Sequence, residues 1–204
     1  MSLFTIESLR ARVTNQLSKG GIVEGLNQKS TRILNEAIEG QRMFSAGTKQ
    51  YDIFLSHSSD DAVMVAGVKL ELEDLGYSVY VDWIEDPKLN RKHVTKDTAR
   101  VLQERMKNCK SLFYAFTENA SQSVWMPWEL GYFDGLKNKA AVLPIATSAK
   151  YEYKGTEFVG IYYYITKETA QNATTESLWV NESKDVYVSY EAWVNRNVSP
   201  YKRK

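Results

Sequence analysis

The chain has 204 residues, 43% apolar and 25% charged, a composition that fits a soluble globular domain and excludes a disordered or fibrous one. Lys and Arg number 26 against 25 Asp and Glu, so no overall field holds nucleic acid or an anionic membrane, and neither is expected as a partner. The one cysteine, Cys109, cannot close an internal disulfide, and with only His57 and His93 beside it no metal site is expected. No run of roughly 18 apolar residues is present to span a bilayer, and the N-terminal stretch lacks a signal-peptide core, so a cytoplasmic, reduced protein is expected.

Residues 1–48 read as a helical arm. Ile6, Leu9, Val13 and Leu17 recur every three or four residues up to Gly20 and Gly21, and a second stripe uses Ile33, Leu34, Ala37 and Ile38. Its expected role is packing on the domain or on a second copy. From Tyr51 the rhythm becomes strand and helix in alternation. Tyr51–Leu55 is a short apolar run suited to a buried parallel strand, and the polar turn Ser56–Asp61 is rich in helix-capping residues. A helix carrying Val65, Val68, Leu72 and Leu75 follows and ends at Gly76.

Tyr77–Val81 is a second strand leading to Asp82 and Trp83. Thr95 caps a helix with Leu102 and Met106 inside, and Leu112–Phe116 is a third strand. A helix spans Trp125–Lys137, and Ala141–Ile145 is a fourth strand. The alternation predicts an α/β fold, an open and mostly parallel sheet with helices on both faces. Beyond it, Phe158–Ile165 reads as a Tyr-rich strand. Leu178–Val180 and Val186–Val188 form a hairpin, Ser189–Asn195 a closing helix, and Lys202–Lys204 a solvated end.

In such a sheet, ligands bind at the C-terminal strand ends. Three segments converge there: Ser56–Asp61, Asp82–Trp83, and Ser121–Asp134 after the third strand. In the last, Trp125, Glu129 and Tyr132 share a helical face. Aromatic neighbours desolvate a carboxylate and form a slot for a flat heterocycle. Pro127 fits the first turn, where an unpaired N–H is expected. By base rate, an aromatic helix start is more often core packing, and a lone Glu is usually solvated.

The segments YDIFLSHSSDD, GYSVYVDW, WMPWELGYFDG and AVLPI, in this order, resemble the Toll/interleukin-1 receptor (TIR) domain family, its bacterial branch above all, over about residues 51 to 165. The tail from Glu157 is similar to extensions of stand-alone TIR proteins in anti-phage systems such as Thoeris. The resemblance implies a flavodoxin-like TIR domain over 49–165, between the arm and a C-terminal extension over 166–204. It implies an enzyme that takes NAD as substrate, with no cofactor, and breaks its nicotinamide–ribose bond. The family's catalytic Glu matches Glu129 and its substrate-contacting Trp matches Trp125. Ser56, His57, Asp82 and Trp83 match the pocket walls. Self-assembly through TIR–TIR contacts, and a downstream effector that senses the nucleotide product, are implied partners.

The chemistry is compatible with one decisive carboxylate. Nicotinamide leaves a cationic ring as a neutral amide and needs no general acid, while a carboxylate can stabilise the oxocarbenium-like transition state or hold the ribose hydroxyls. Water as acceptor gives linear ADP-ribose; an internal nucleophile gives a cyclic isomer. Other candidates are weaker. His57 reads first as a loop hydrogen-bonder and His93 as part of a solvated basic loop. Asp60 and Asp61 read as helix capping before phosphorylation or metal binding. Gly131–Gly135 lacks the spacing of a phosphate cradle. Two rival functions stand beside the NAD enzyme: a non-catalytic TIR scaffold, and a nucleoside 2-deoxyribosyltransferase-like enzyme.

Overall fold

The apolar run that opens the α/β rhythm lies inside the sheet, with a parallel strand on each side. The computed structural model describes residues 2–19, 49–85, 95–148, 153–155, 157–170 and 174–202. Its strands are β1 (Phe4–Thr5), β2 (Tyr51–Ser56), β3 (Val79–Tyr80), β4 (Cys109–Phe116), β5 (Ala140–Ala146), β6 (Tyr164–Thr169), β7 (Glu176–Ser183), β8 (Val186–Ser189) and β9 (Tyr201–Lys202). Its helices are α1 (Ile6–Lys19), α2 (Ala62–Asp74), α3 (Asp82–Glu85), α4 (Lys96–Lys107), α5 (Trp125–Lys137) and α6 (Tyr190–Arg196). The strands follow the order β3-β2-β4-β5-β6-β7-β8-β9, with β1 added on β5. From β3 to β6 every pairing is parallel, and from β6 to β9 every pairing is antiparallel. The expected open, mostly parallel sheet is present, extended at one side by an antiparallel hairpin.

Alternate strand residues sort onto two faces, as the pleat requires. Ile53, Leu55, Phe113, Ala115, Ala141 and Leu143 share one core with α1, α2 and α6. Phe54, Leu112, Tyr114 and Ala140 share the other with α4 and α5. Both helix caps read from the sequence are in place: Thr95 Oγ1 accepts the Thr98 N–H, and Gly76 takes φ +91° after α2. The closing helix is capped by Ser189 Oγ, which accepts the Ala192 N–H at 3.4 Å. Tyr190 then anchors that helix across the sheet, its hydroxyl 2.9 Å from Ser111 Oγ and donating to the Asp52 carbonyl at 3.1 Å.

The N-terminal segment is part of the sheet. Phe4 and Thr5 pair in parallel with Ile145 and Ala146, and the Ser2 and Lys167 backbones exchange hydrogen bonds of 3.0 and 3.1 Å. Leu9 and Val13 of α1 are fully buried. Gly67 of α2 admits this packing, because a Cβ there would meet the Leu9 carbonyl oxygen at 2.8 Å and the Leu9 Cβ at 2.9 Å. The second apolar stripe, Ile33–Ile38, and the basic loop with His93 lie outside the described residues.

Three expectations are corrected in detail. The second strand shrinks to Val79–Tyr80, because the Ile84 and Glu85 N–H groups both bond the Val81 carbonyl and start α3 at once. The Phe158–Ile165 run is a 3-10 turn over Glu157–Ile161, and β6 begins only at Tyr164. There the Gly155 and Gly160 backbones touch, a Cβ on either coming within 2.7 Å of the other's main chain. The basic tail is not merely a solvated end, since Tyr201 and Lys202 pair with β8.

Two predictions follow from these contacts. Gly67→Ala gains helix propensity but drives a methyl group into the Leu9 main chain, and overpacking of this kind costs about 1–3 kcal/mol. Thermal unfolding should therefore shift down by several degrees, since ~1 kcal/mol is worth roughly 2–4 °C at this chain length; an unchanged Tm would mean that α1 shifts at no cost. Asp52 behaves differently. Burial alone would raise its carboxyl, but hydrogen bonds from Lys110 and Ser78 outweigh that and hold it below its ordinary value. The stability it contributes is present above the ordinary carboxylate range and is lost as pH falls through the depressed value. The Tm gap between the parent and Asp52→Asn should thus be widest near neutrality and narrow as pH falls through the ordinary carboxylate range and below it.

Candidate functional site

The chain order reverses between β2 and β4: β3 lies on one side of β2, and β4 to β6 extend on the other. Loops leaving such a neighbouring pair diverge to opposite faces and leave a crevice where ligands bind. Asp61 spans this crevice. Sequence reasoning made it a helix cap, and it does precede α2, yet its side chain makes no capping bond. Its carboxylate instead accepts Thr117 Oγ1 at 2.5 Å and Asn119 Nδ2 at 2.8 Å. The loop after β2 is thereby fastened to the loop after β4.

Glu129 lies on the α4–α5 side of the sheet. It is 0% exposed, and its Oε2 accepts a 2.6 Å hydrogen bond from Ser56 Oγ, at the last residue of β2. The structure thus joins two of the expected site residues directly. Tyr114 is the register partner of Ser56 on β4; burial raises its phenol, and the charge of Glu129 raises it further. A buried carboxyl needs such donors, because a carboxylate removed from water without partners is strongly disfavoured.

His57 and Asp82 form a second buried pair, each 2% exposed. The ring Nδ1 lies 2.8 Å from the Leu55 carbonyl. A carbonyl only accepts, so Nδ1 carries the proton, and Nε2 is turned toward Asp82 Oδ1 at 3.4 Å. This approach sets the exit of β2 beside the start of α3. Trp83 belongs to α3 by its backbone, while its side chain lies outside the described residues.

Trp125 opens α5 and is 8% exposed. It meets Trp128 edge-on, with ring centroids 5.4 Å apart. Trp128 stacks on Tyr132 at 5.6 Å with 18° between the planes, so Tyr132 is engaged by Trp128 along the helix. Trp125 is left as the aromatic neighbour one turn before the carboxyl. Cys109 is buried, and burial pushes its thiol up to about 12, which makes it inert as a nucleophile. Among the described residues no group of three or more His, Cys, Asp or Glu is placed to hold a metal ion, and no helix is long and apolar enough to cross a membrane.

Sequence reasoning missed a cavity of about 820 Å³ at the ends of β4 and β5, whose lining includes Arg10, Asp61, Phe116, Thr117, Tyr153 and Lys154. Glu129 and Ser56 are not in that lining; Tyr114, the register partner of Ser56, lies on β4 two residues before Phe116 of the lining.

The chain is similar in sequence to known proteins. A protein of Bacillus cereus (strain MSX-D12), named a probable 3′ cyclic ADP-D-ribose synthase, ThsB′, is 49% identical over 172 residues, covering 84% of this chain and 87% of that protein. A protein of Cytobacillus dafuensis, provisionally named a cyclic ADP-D-ribose synthase, TIR2, is 30% identical over 111 residues, covering 54% of this chain and 29% of that protein. The TIR domain family profile matches residues 53–178, a span that holds the Ser56–Glu129 and His57–Asp82 contacts and the β2–β4 crevice. The chain belongs to the TIR domain family.

Proposed function

We propose that this protein cleaves the nicotinamide–ribose bond of NAD and closes the ADP-ribosyl group on itself, giving nicotinamide and a cyclic ADP-ribose as a signal in anti-phage defence. The observation that carries the reading is the fully buried carboxyl of Glu129, held by Ser56 at a strand end and preceded one turn earlier by Trp125. The names of both relatives support the product class, and that of the Bacillus cereus relative supports the 3′ isomer.

The proposed chemistry needs little machinery. The C–N bond breaks and its electron pair leaves with neutral nicotinamide. Positive charge gathers on the ribose, and the Glu129 carboxylate stabilises it at short range in a low-dielectric setting. Trp125 gives the departing ring a flat wall. A hydroxyl within the ADP-ribosyl group then forms the new C–O bond, and Glu129 accepts its proton. The burial of Glu129 favours ring closure over hydrolysis, because water is scarce where the cation forms. No metal or cofactor enters this scheme, and NAD is substrate only.

The reading extends to setting and partners. The protein acts in the cytoplasm, and copies associate through TIR–TIR contacts. Val124, 78% exposed immediately before Trp125, supplies apolar surface for such contacts beside the site. A downstream effector reads the cyclic nucleotide.

The direct test incubates concentrated protein with NAD and follows products by chromatography with mass detection. Glu129→Gln should lower nicotinamide release by roughly 100-fold or more, and the other product should be lighter than ADP-ribose by one water. Parent-like release from Glu129→Gln would remove Glu129 from the chemistry. Ser56→Ala leaves the carboxyl one donor short, at a cost of about 1–3 kcal/mol. It should lower Tm and slow kcat by roughly tenfold or more with KM little changed; an unaltered kcat would make the Ser56 contact structural only.

A further inference from the structure

The cavity at the ends of β4 and β5 falls within the roughly 300–1,000 Å³ typical of small-molecule sites. Part of its wall comes from outside the α/β core. Ile6 and Arg10 belong to α1, which β1 pairing and the Gly67–Leu9 contact hold in place. Tyr153 and Lys154 come from the segment that the Gly155–Gly160 contact fixes against the 3-10 turn. Phe116 meets Tyr153 edge-on at 5.5 Å, giving the cavity an aromatic wall.

The charges are unequally committed. The cavity lining holds two acids, Asp61 and Glu118, and two cations, Arg10 and Lys154. The Asp61 oxygens are taken by Thr117 and Asn119, and Glu118 is exposed and has a partner of its own. Arg10 and Lys154 make no ion pair with the described residues, whereas Arg12, two residues further along α1, is paired with Asp74 at 2.7 Å. Two cations without anionic partners among the described residues, in a cavity with an aromatic wall, suit a ligand that carries phosphate beside a flat or sugar-like body. An arginine fork binds phosphate oxygens in bidentate fashion, and a lysine adds a point charge.

Position relates this cavity to Glu129. Ser56 and Tyr114 are register partners, and Phe116 lies two residues further along β4, about 7 Å at the strand rise. A dinucleotide spans such a distance. We propose that the cavity seats the pyrophosphate and adjoining adenosine of the dinucleotide, with Arg10 and Lys154 on the phosphate oxygens and Phe116 and Tyr153 against the adenosine. This inference rests on the NAD-cleaving reading for the ligand's other end. It makes the N-terminal segment part of the substrate site.

The test separates this inference from the catalytic reading by measuring binding and turnover independently. Calorimetric titration with ADP-ribose, which lacks the scissile bond, should show binding to the parent. Arg10→Ala should weaken it by roughly tenfold or more and Lys154→Ala by less, while adenosine, which has no phosphate, should bind both variants as it binds the parent. In NAD kinetics Arg10→Ala should raise KM by a similar factor and leave kcat within about twofold, with Arg10→Lys recovering part of the loss. Arg10 is exposed, so Tm should hold and a folding defect would be visible separately. If the parent turns over NAD but Arg10→Ala keeps its KM and its ADP-ribose affinity, the cavity assignment falls and the activity stands. If the parent never releases nicotinamide but ADP-ribose binding still depends on Arg10, the assignment stands and the activity falls. Failure of ADP-ribose to bind the parent overturns the assignment.

Discussion

A carboxyl group with no exposure to solvent is the constraint around which this protein is arranged. Glu129 faces Ser56 across the sheet–helix boundary, and that contact requires the end of β2 and the first turns of α5 to keep a fixed relation. The relation is set on both sides. His57 and Asp82 meet where β2 exits and α3 starts, and Asp61 fastens the next loop to Thr117 and Asn119 beyond β4. Polar groups that would be costly to bury alone hold one another. The reactive group proposed here is therefore preorganised by the same bonds that close the top of the sheet, a common economy where charge develops during reaction.

The second organising feature is the way the ends of the chain close on the α/β core. The N-terminal strand joins the end of β5, and α1 lies on α2 with no Cβ at Gly67 to hold it off. On the other side β7, β8 and α6 extend and cover the sheet, with Tyr190 reaching to Ser111 and Asp52. Lys167 ties the two together: it pairs with Glu71 at 2.7 Å and sits 5.5 Å from the Phe4 ring centroid. Segments flanking the central alternation thus supply core, cavity wall and sheet edge at once.

The parts of this structure that were legible in the sequence are those encoded locally. Pro127 in a first turn and the spacing of Trp125, Glu129 and Tyr132 point to α5, and Thr95 and Gly76 mark helix ends by their own backbone chemistry. The identity of Glu129 and Trp125 as neighbours on one helix is likewise a matter of spacing. What was not legible depends on partners far away in the chain. The Ser56–Glu129 bond joins residues 73 apart. Asp61 looks like a cap until Thr117 and Asn119, more than 50 positions later, claim its oxygens. β1 is two residues long, too short for any periodicity, and is a strand because the last residues of β5, beyond its pairing with β6, are open to it. The Tyr-rich run before β6 has strand composition, yet two touching glycines turn it.

The pairing of Ser2 with Lys167 has a consequence for how the protein is made. The two residues are 165 positions apart, so during synthesis the N-terminal strand emerges long before its second partner exists. At about 5–20 residues per second the wait is roughly 10–30 s, during which Leu3, Phe4 and Leu9, all buried in the finished fold, have no complete place to go. The N-terminal strand's pairing with β5 is available once residue 146 is made, whereas the bonds between Ser2 and Lys167 close only when β6 follows, at a high loop-closure entropy. The same segment supplies Leu3, Ile6 and Arg10 to the cavity at the strand ends, so the pocket is complete only once the first-made residues have closed on the end of β5.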